Sequence, residues 1–166
     1  MTEVAPVNFY QVPLETITLA EALAGAIAFE ERAHRFYRDL ATHVCPQNRE
    51  LVEELAAEEL THVRLLQEMA EDPDLAEHLH AWMEPPETLV DFAAYVTLPV
   101  DRDDLSTDEL LASAEAREEI AREHYGYLAE LTPEGPIRDL FRFLREEEDK
   151  HAERLGARWS ALFSIF

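Results

Sequence analysis

Four stretches of the chain carry apolar residues at alternating three- and four-residue spacing, the period of a helix buried along one face. The first, LAEALAGAIAFEERAHRFYRDLA, follows Thr18-Leu-Ala-Glu21, where a hydroxyl and a carboxylate are placed to satisfy the free N–H groups of a helix start. No Pro interrupts it before Pro46, so a helix over 18–43 is predicted, about 26 residues or roughly 39 Å. The second, RELVEELAAEELTHVRLLQEMA, stops before Pro73 and predicts an antiparallel partner over 48–71. Ser106-Thr-Asp-Glu109 repeats the capping pattern ahead of a third helix, 106–131. The turn TPEGP then puts Pro136 at the first position of a fourth, IRDLFRFLREEEDKHAERLGARW, 136–160. Between the hairpins, residues 72–105 hold Pro73, Pro85, Pro86 and Pro99 around the short apolar run LVDFAAYV, which reads as a long crossover with room for a small helix.

The two hairpins are near copies. EERAHRFYRDLA (30–41) matches EEIAREHYGYLA (118–129) at Glu30/Glu118, Glu31/Glu119, Ala33/Ala121, Tyr37/Tyr125, Leu40/Leu128 and Ala41/Ala129. LVEELAAEELTHVRLL (51–66) matches LFRFLREEEDKHAERL (140–155) at Leu51/Leu140, Leu55/Leu144, Glu58/Glu147, Glu59/Glu148, His62/His151 and Leu66/Leu155. Two such hairpins related by a two-fold axis need a long connection, and 72–105 supplies one. The expectation is a single all-α domain over 1–166, a four-helix bundle.

Composition narrows the function classes. With 47% apolar residues, 30% charged and only four Gly, the chain reads as globular and helical. Its 36 acidic and 14 basic residues give a net charge of −22, which repels phosphate backbones and anionic membrane surfaces. Neither nucleic acid nor membrane is an expected partner, and no run approaches the roughly 18 apolar residues of a membrane span. The lone Cys45, beside Pro46 in a turn, excludes an internal disulfide and a Cys-x-x-Cys metal knuckle. The start MTEVAPVNFYQ lacks the basic-then-apolar order of a secretory signal, so a cytoplasmic location is expected.

The chemistry enters with EELTH (58–62) and EEDKH (147–151), each a Glu three residues before a His. Residues three apart lie about 60° apart around a helix and about 4.5 Å along it, so Glu59 with His62, and Glu148 with His151, can reach one point. One such pair in a Glu-rich chain reads as a solvated salt-bridging face. The repeat changes that reading by adding Glu30 from the first helix and Glu118 from the third. Glu30, Glu59, His62, Glu118, Glu148 and His151 form the ligand inventory of a dinuclear carboxylate site in a four-helix bundle. Four carboxylates against two divalent ions suggest a buried site balanced only when loaded, with some carboxylates taking up protons otherwise. Hard carboxylates and imidazoles suit iron or manganese, with zinc as a further candidate.

With these residues the chain resembles the ferritin-like di-iron proteins and, within them, the rubrerythrin-like branch. The resemblance covers about residues 18–70 and 106–160 and rests on the Glu of AFEERAHRFY, the pair in EELTH, the Glu of AREEIAREHY and the pair in EEDKH. It implies a ferritin-like bundle holding two iron ions. Glu30 and Glu118 would be terminal ligands, Glu59 and Glu148 bridging carboxylates, and His62 and His151 one nitrogen per iron. The implied activity is oxidation of Fe(II) with hydrogen peroxide or O2, in peroxide removal or iron handling. Two departures bear on this. Rubrerythrins usually carry a rubredoxin-like tail with paired Cys-x-x-Cys motifs, absent here, so electrons are expected from an external donor such as a rubredoxin-like protein, or directly from Fe(II). Ala121 stands where rubrerythrins tend to have an extra Glu that takes part in ligand switching.

Other residues compete for attention. Glu31 and His34 share the Glu-x-x-His spacing, but their repeat partners are Glu119 and Arg122, and Arg cannot ligate. Glu115 lies one turn before Glu118 as a candidate additional ligand, although its counterpart is Ile27. Tyr37 and Tyr125, seven residues beyond Glu30 and Glu118, read either as core aromatics or as hydrogen-bond donors to ligand carboxylates. The apolar C-terminus WSALFSIF suggests docking on the bundle or a second subunit, and hence a homodimer. Rival readings are a ferritin-type subunit of an iron-storage cage, a non-catalytic metal-binding or interaction bundle, and an oxygenase acting on an organic substrate.

Overall fold

The computed structural model describes residues 16–97 and 106–163, with side chains given for all but 97, 107 and 158–163. Helix α1 spans Leu19–Leu40 and α2 Pro46–Glu71; a short helix α3, Leu89–Thr97, lies in the crossover, and α4 (Thr107–Leu131) and α5 (Pro136–Phe163) form the second hairpin. Both capping boxes are made. The Thr18 hydroxyl accepts from the Glu21 N–H while the Glu21 carboxylate accepts from the Thr18 N–H, and Ser106 and Glu109 do the same for α4.

The boundaries shift from expectation where backbone chemistry differs from side-chain pattern. Helix α1 ends at Leu40 rather than 43, because the next residues close a turn in which the Thr42 N–H bonds the Asp39 carbonyl and the His43 N–H the Leu40 carbonyl. Helix α2 starts at Pro46, not 48. Pro tolerates the first helical position, where its missing N–H would be unpaired anyway, and exposed Cys45 serves as N-cap without a side-chain bond to the backbone N–H groups of the first turn. Helix α5 continues to Phe163. The docking expected of WSALFSIF falls on side chains outside the described set.

The crossover holds one feature the helical period could not signal. Ile17 and Thr18 (β1) pair antiparallel with Met83 and Trp82 (β2), and the Leu19 N–H bonds the Ala81 carbonyl at 3.0 Å. This two-residue ribbon fastens the crossover to the start of α1.

Packing runs within hairpins, α1 on α2 and α4 on α5, while α3 lies against both α1 and α4. Two apolar clusters result. One gathers Leu23, Phe29, Leu66, Phe92, Tyr125, Leu128, Phe141 and Leu144; the other gathers Phe36, Leu40, Leu51, Leu55, Leu110, Ala114 and Leu155. In every long helix the stretch between its contributions to the two clusters is the stretch carrying Glu30, Glu59–His62, Arg117–Glu118 or Glu148–His151. A layer of ionisable groups is thus set across the middle of the bundle, between two dry cores.

Candidate metal centre

All six residues picked out by the repeat meet in this layer, each almost inaccessible to solvent. Burying four carboxylates and two imidazoles costs far more than leaving them in water unless each finds a charged or coordinating partner. Two sets of four donors lie close enough to surround an ion: Glu30, Glu59, His62 and Glu148 in one, and Glu59, Glu118, Glu148 and His151 in the other, with the donor atoms of each set within 4.8 Å of one another. Glu59 and Glu148 belong to both sets. The geometry therefore separates shared carboxylates from Glu30 and Glu118, which each serve one set, and gives each set one imidazole.

The two halves exchange supports across the bundle. The Tyr37 hydroxyl on α1 donates to Glu118 Oε1 on α4, and the Tyr125 hydroxyl on α4 donates to Glu30 Oε1 on α1. Both tyrosines thus act on candidate ligands as well as filling the core. Burial, then the facing Glu118 or Glu30 carboxylate, pushes both phenols well above their ordinary range, so each keeps its proton to donate.

The imidazoles are held in the same reciprocal manner. His62 Nδ1 lies 3.1 Å from Glu59 Oε2 and 3.3 Å from Glu148 Oε1, so this nitrogen faces the carboxylates. His151 Nδ1 lies 3.4 Å from Glu59 Oε1, while its Nε2 meets Glu58 Oε2 at 2.6 Å. A carboxylate can only accept, so Nε2 carries a proton and Nδ1 is the nitrogen left for an ion. Glu147 stands in the corresponding place beside His62 Nε2, at 4.0 Å. A carboxylate behind an imidazole fixes its orientation and raises its basicity. Glu58 and Glu147 match in the repeat as well, but stand four residues before the His of their own helix, a spacing that does not single them out for this supporting place.

One residue in the layer has no signal in the repeat. The guanidinium of Arg117, fully buried, donates from Nη1 to Glu59 Oε1 (2.5 Å), Glu118 Oε1 and Glu148 Oε2 (3.4 Å), and from Nη2 to Glu30 Oε2 (3.2 Å). Its carbon sits 5.0 Å from the centre of the Phe29 ring and 5.5 Å from that of Tyr37. This corrects the expectation that the carboxylates are balanced only by bound ions, because a fixed cation from the chain already lies among them.

Protons complete the balance. Burial, then the neighbouring Glu59 charge, raises Glu30 to about 7, and burial with Glu118 pushes Glu148 well above the usual carboxylate range. Burial acts the same way on Glu59 and Glu118, but Arg117 together with hydrogen bonds from Glu30, His151 and His62 to Glu59, and from Glu148 and His151 to Glu118, outweighs it and holds both low. For His62, burial opposes the charged form, yet bonds to Glu148, Glu30 and Glu59 lift it to about 12; His151 is raised likewise by Glu118, Glu58 and Glu59.

The donor set fits a pair of divalent ions. Glu118 Oε2, Glu148 Oε1 and His151 Nδ1 are buried polar atoms with no hydrogen-bond partner of acceptable geometry, and all three belong to the predicted ligands. The decoys resolve differently. His34 Nδ1 bonds the Ala56 carbonyl at 2.7 Å and serves the α1–α2 contact, and Arg122 pairs with Asp149 at the surface. Glu115 is half-buried, its carboxylate 3.3 Å from where a Gly156 side chain would start, and it joins neither donor set. Ala121 is buried in the core.

A family model described as rubrerythrin matches residues 21–158. The chain is also similar to a solved structure of a ferritin-like diiron-carboxylate protein from Thermotoga maritima, at 22% identity over 85% of this chain and 93% of that one, with a TM-score of 0.67. At that identity the likeness shows a shared ferritin-like fold. No curated protein matches the chain.

Proposed function

The chain belongs to the rubrerythrin family, and from that premise we propose that it is a di-iron oxidoreductase that oxidises Fe(II) with hydrogen peroxide or O2, in peroxide removal or iron handling. The observation that carries this reading is the pair of donor sets sharing Glu59 and Glu148. Ions held by these two sets would share Glu59 and Glu148 as ligands and, when bound, would supply the two electrons that reduction of an O–O bond requires. Each residue has a definite part. Glu30 and His62 would hold one ion and Glu118 and His151 the other, with Glu59 and Glu148 serving both. Tyr37 and Tyr125 fix the terminal carboxylates by hydroxyl donation, and Glu58 fixes His151. The flanking apolar clusters exclude water from the layer on both sides along the bundle axis.

Manganese or zinc would fit the same donors, so the metal is part of the proposal. A homodimer and an external donor such as a rubredoxin-like protein complete it. No described helix is long and apolar enough to cross a membrane. Stopped-flow mixing of the Fe(II)-loaded protein with hydrogen peroxide, and separately with O2, tests the reaction. The expected result is oxidation faster than that of free Fe(II) by at least one of them; no acceleration by either ends the enzyme reading. Sizing the protein in solution separates it from a cage-forming storage subunit, which a dimer could not be.

A further inference from the structure

We propose that Arg117 is a built-in competitor for one of the two ion positions, so that the His62 position fills first and the His151 position only when the guanidinium is displaced. The inference rests on the two-ion reading above. Nη1 of Arg117 touches Glu59, Glu118 and Glu148, which are the three carboxylates of the His151 donor set. It therefore stands among the atoms that would surround that ion. Arg117 also reaches the carboxylates of the His62 set, but less completely. It takes Glu59 Oε1 and Glu148 Oε2, the oxygens that face His151, and leaves Glu59 Oε2 and Glu148 Oε1, at 3.1 and 3.3 Å from His62 Nδ1, without a guanidinium contact, while Glu30 is reached only by Nη2 at 3.2 Å.

A guanidinium does not lose its proton at accessible pH. It cannot share three carboxylates with a divalent cation by turning neutral, as a lysine could, and has to move. The repeat shows that this asymmetry is specific to one half of the molecule. The position equivalent to Arg117 in the first hairpin is Phe29, whose ring lies beneath the guanidinium. Two otherwise matching half-sites thus differ by a fixed cation that belongs to one of them. The consequence is a protein that stays folded without metal, its carboxylates held apart by Arg117, and that loads its ions in order.

The test is a Co(II) titration of the metal-free full chain, followed by calorimetry and visible absorption, for the wild type, Arg117→Met and Arg117→Lys. In the wild type the second Co(II) should bind at least about ten-fold more weakly than the first. In Arg117→Met that gap should close to within a few-fold, with Arg117→Lys between the two. The metal-free Arg117→Met protein should also melt lower by about 10 °C, since a buried cation partner is gone, and recover on Co(II) addition. If it fails to fold without metal, refolding in Co(II) gives the loaded form, and Arg117→Lys carries the affinity comparison. Anomalous scattering from crystals grown with one equivalent of Co(II) should place the ion at His62. Two ions bound with the same affinity ratio in wild type and variants, or a first ion at His151, would overturn the role of Arg117 and leave the two-ion reading standing. Failure of every form to take up Co(II) would overturn both.

Discussion

Glu58 accepts a hydrogen bond from His151 Nε2 at 2.6 Å and is itself gripped by Arg154 at 3.1 Å, whereas Glu147 stands 4.0 Å from His62 Nε2. The two positions match in the repeat but differ in engagement, so their removal should cost differently. Glu58→Gln should weaken binding at the His151 position by about ten-fold, with Glu147→Gln having the smaller effect; a metal titration of both variants decides this. The protons in the layer give a second prediction at this scale. With His62 raised to about 12 and Glu30 to about 7, the metal-free site at neutral pH carries protons that an entering ion must displace. Metal affinity should therefore fall as pH falls. Calorimetry in buffers of different ionisation enthalpy should show release of about one proton or more per ion. The clustering of the six candidate ligands was legible in the sequence because the repeat presents each kind of donor in both halves. Arg117 was not, because its counterpart is Phe29. A residue next to a ligand on a helix is turned by about 100°, so only the reach of the long Arg side chain brings its charge into the layer.

At the scale of elements, the crossover is where periodicity says least and the structure adds most. LVDFAAYV does form a helix, α3, and it closes over α1 and α4 through a stack: Phe92 lies 4.0 Å from Phe29 on one side and 3.8 Å from His124 on the other. His124 shares a 2.8 Å hydrogen bond with the Thr88 hydroxyl, and burial lowers its pKa from 6.5 to about 3. The sign follows directly. Between those values the unfolded chain binds a proton that the folded one refuses, so stability is complete above about 6.5 and is lost as pH falls toward 3. Denaturation of His124→Gln should show an acid slope shallower than the wild type by up to about 1.4 kcal/mol per pH unit; parallel slopes would mean that His124 takes up its proton in the folded state. The β1–β2 ribbon was invisible for a simple reason: two residues are too few to display an alternation. The early ends of α1 and the early start of α2 reflect turn hydrogen bonds and Pro46, which an apolar pattern does not record.

For the molecule as a whole, the bundle places a costly polar layer between two dry cores, and without metal the layer is compensated by Arg117 and by protons on Glu30, Glu148 and the two imidazoles, which entering cations would have to replace. A net charge of −22 favours cation approach over the whole surface. The fold class and the family were legible because they depend on long-range periodicity and an internal repeat, which the crossover does not disturb. The reaction depends on which ions bind and which oxidant reaches them, and no side-chain pattern encodes that. The central claim is that Glu30, Glu59, His62, Glu118, Glu148 and His151 hold a dinuclear centre. Metal content after anaerobic Fe(II) loading and desalting, in the wild type beside Glu59→Ala, tests it most directly. About two ions per chain are expected in the wild type, and loss of both or all but one when the shared carboxylate of both donor sets is removed; a wild type without iron, or a Glu59→Ala variant that retains two ions per chain, would contradict a dinuclear centre at these residues.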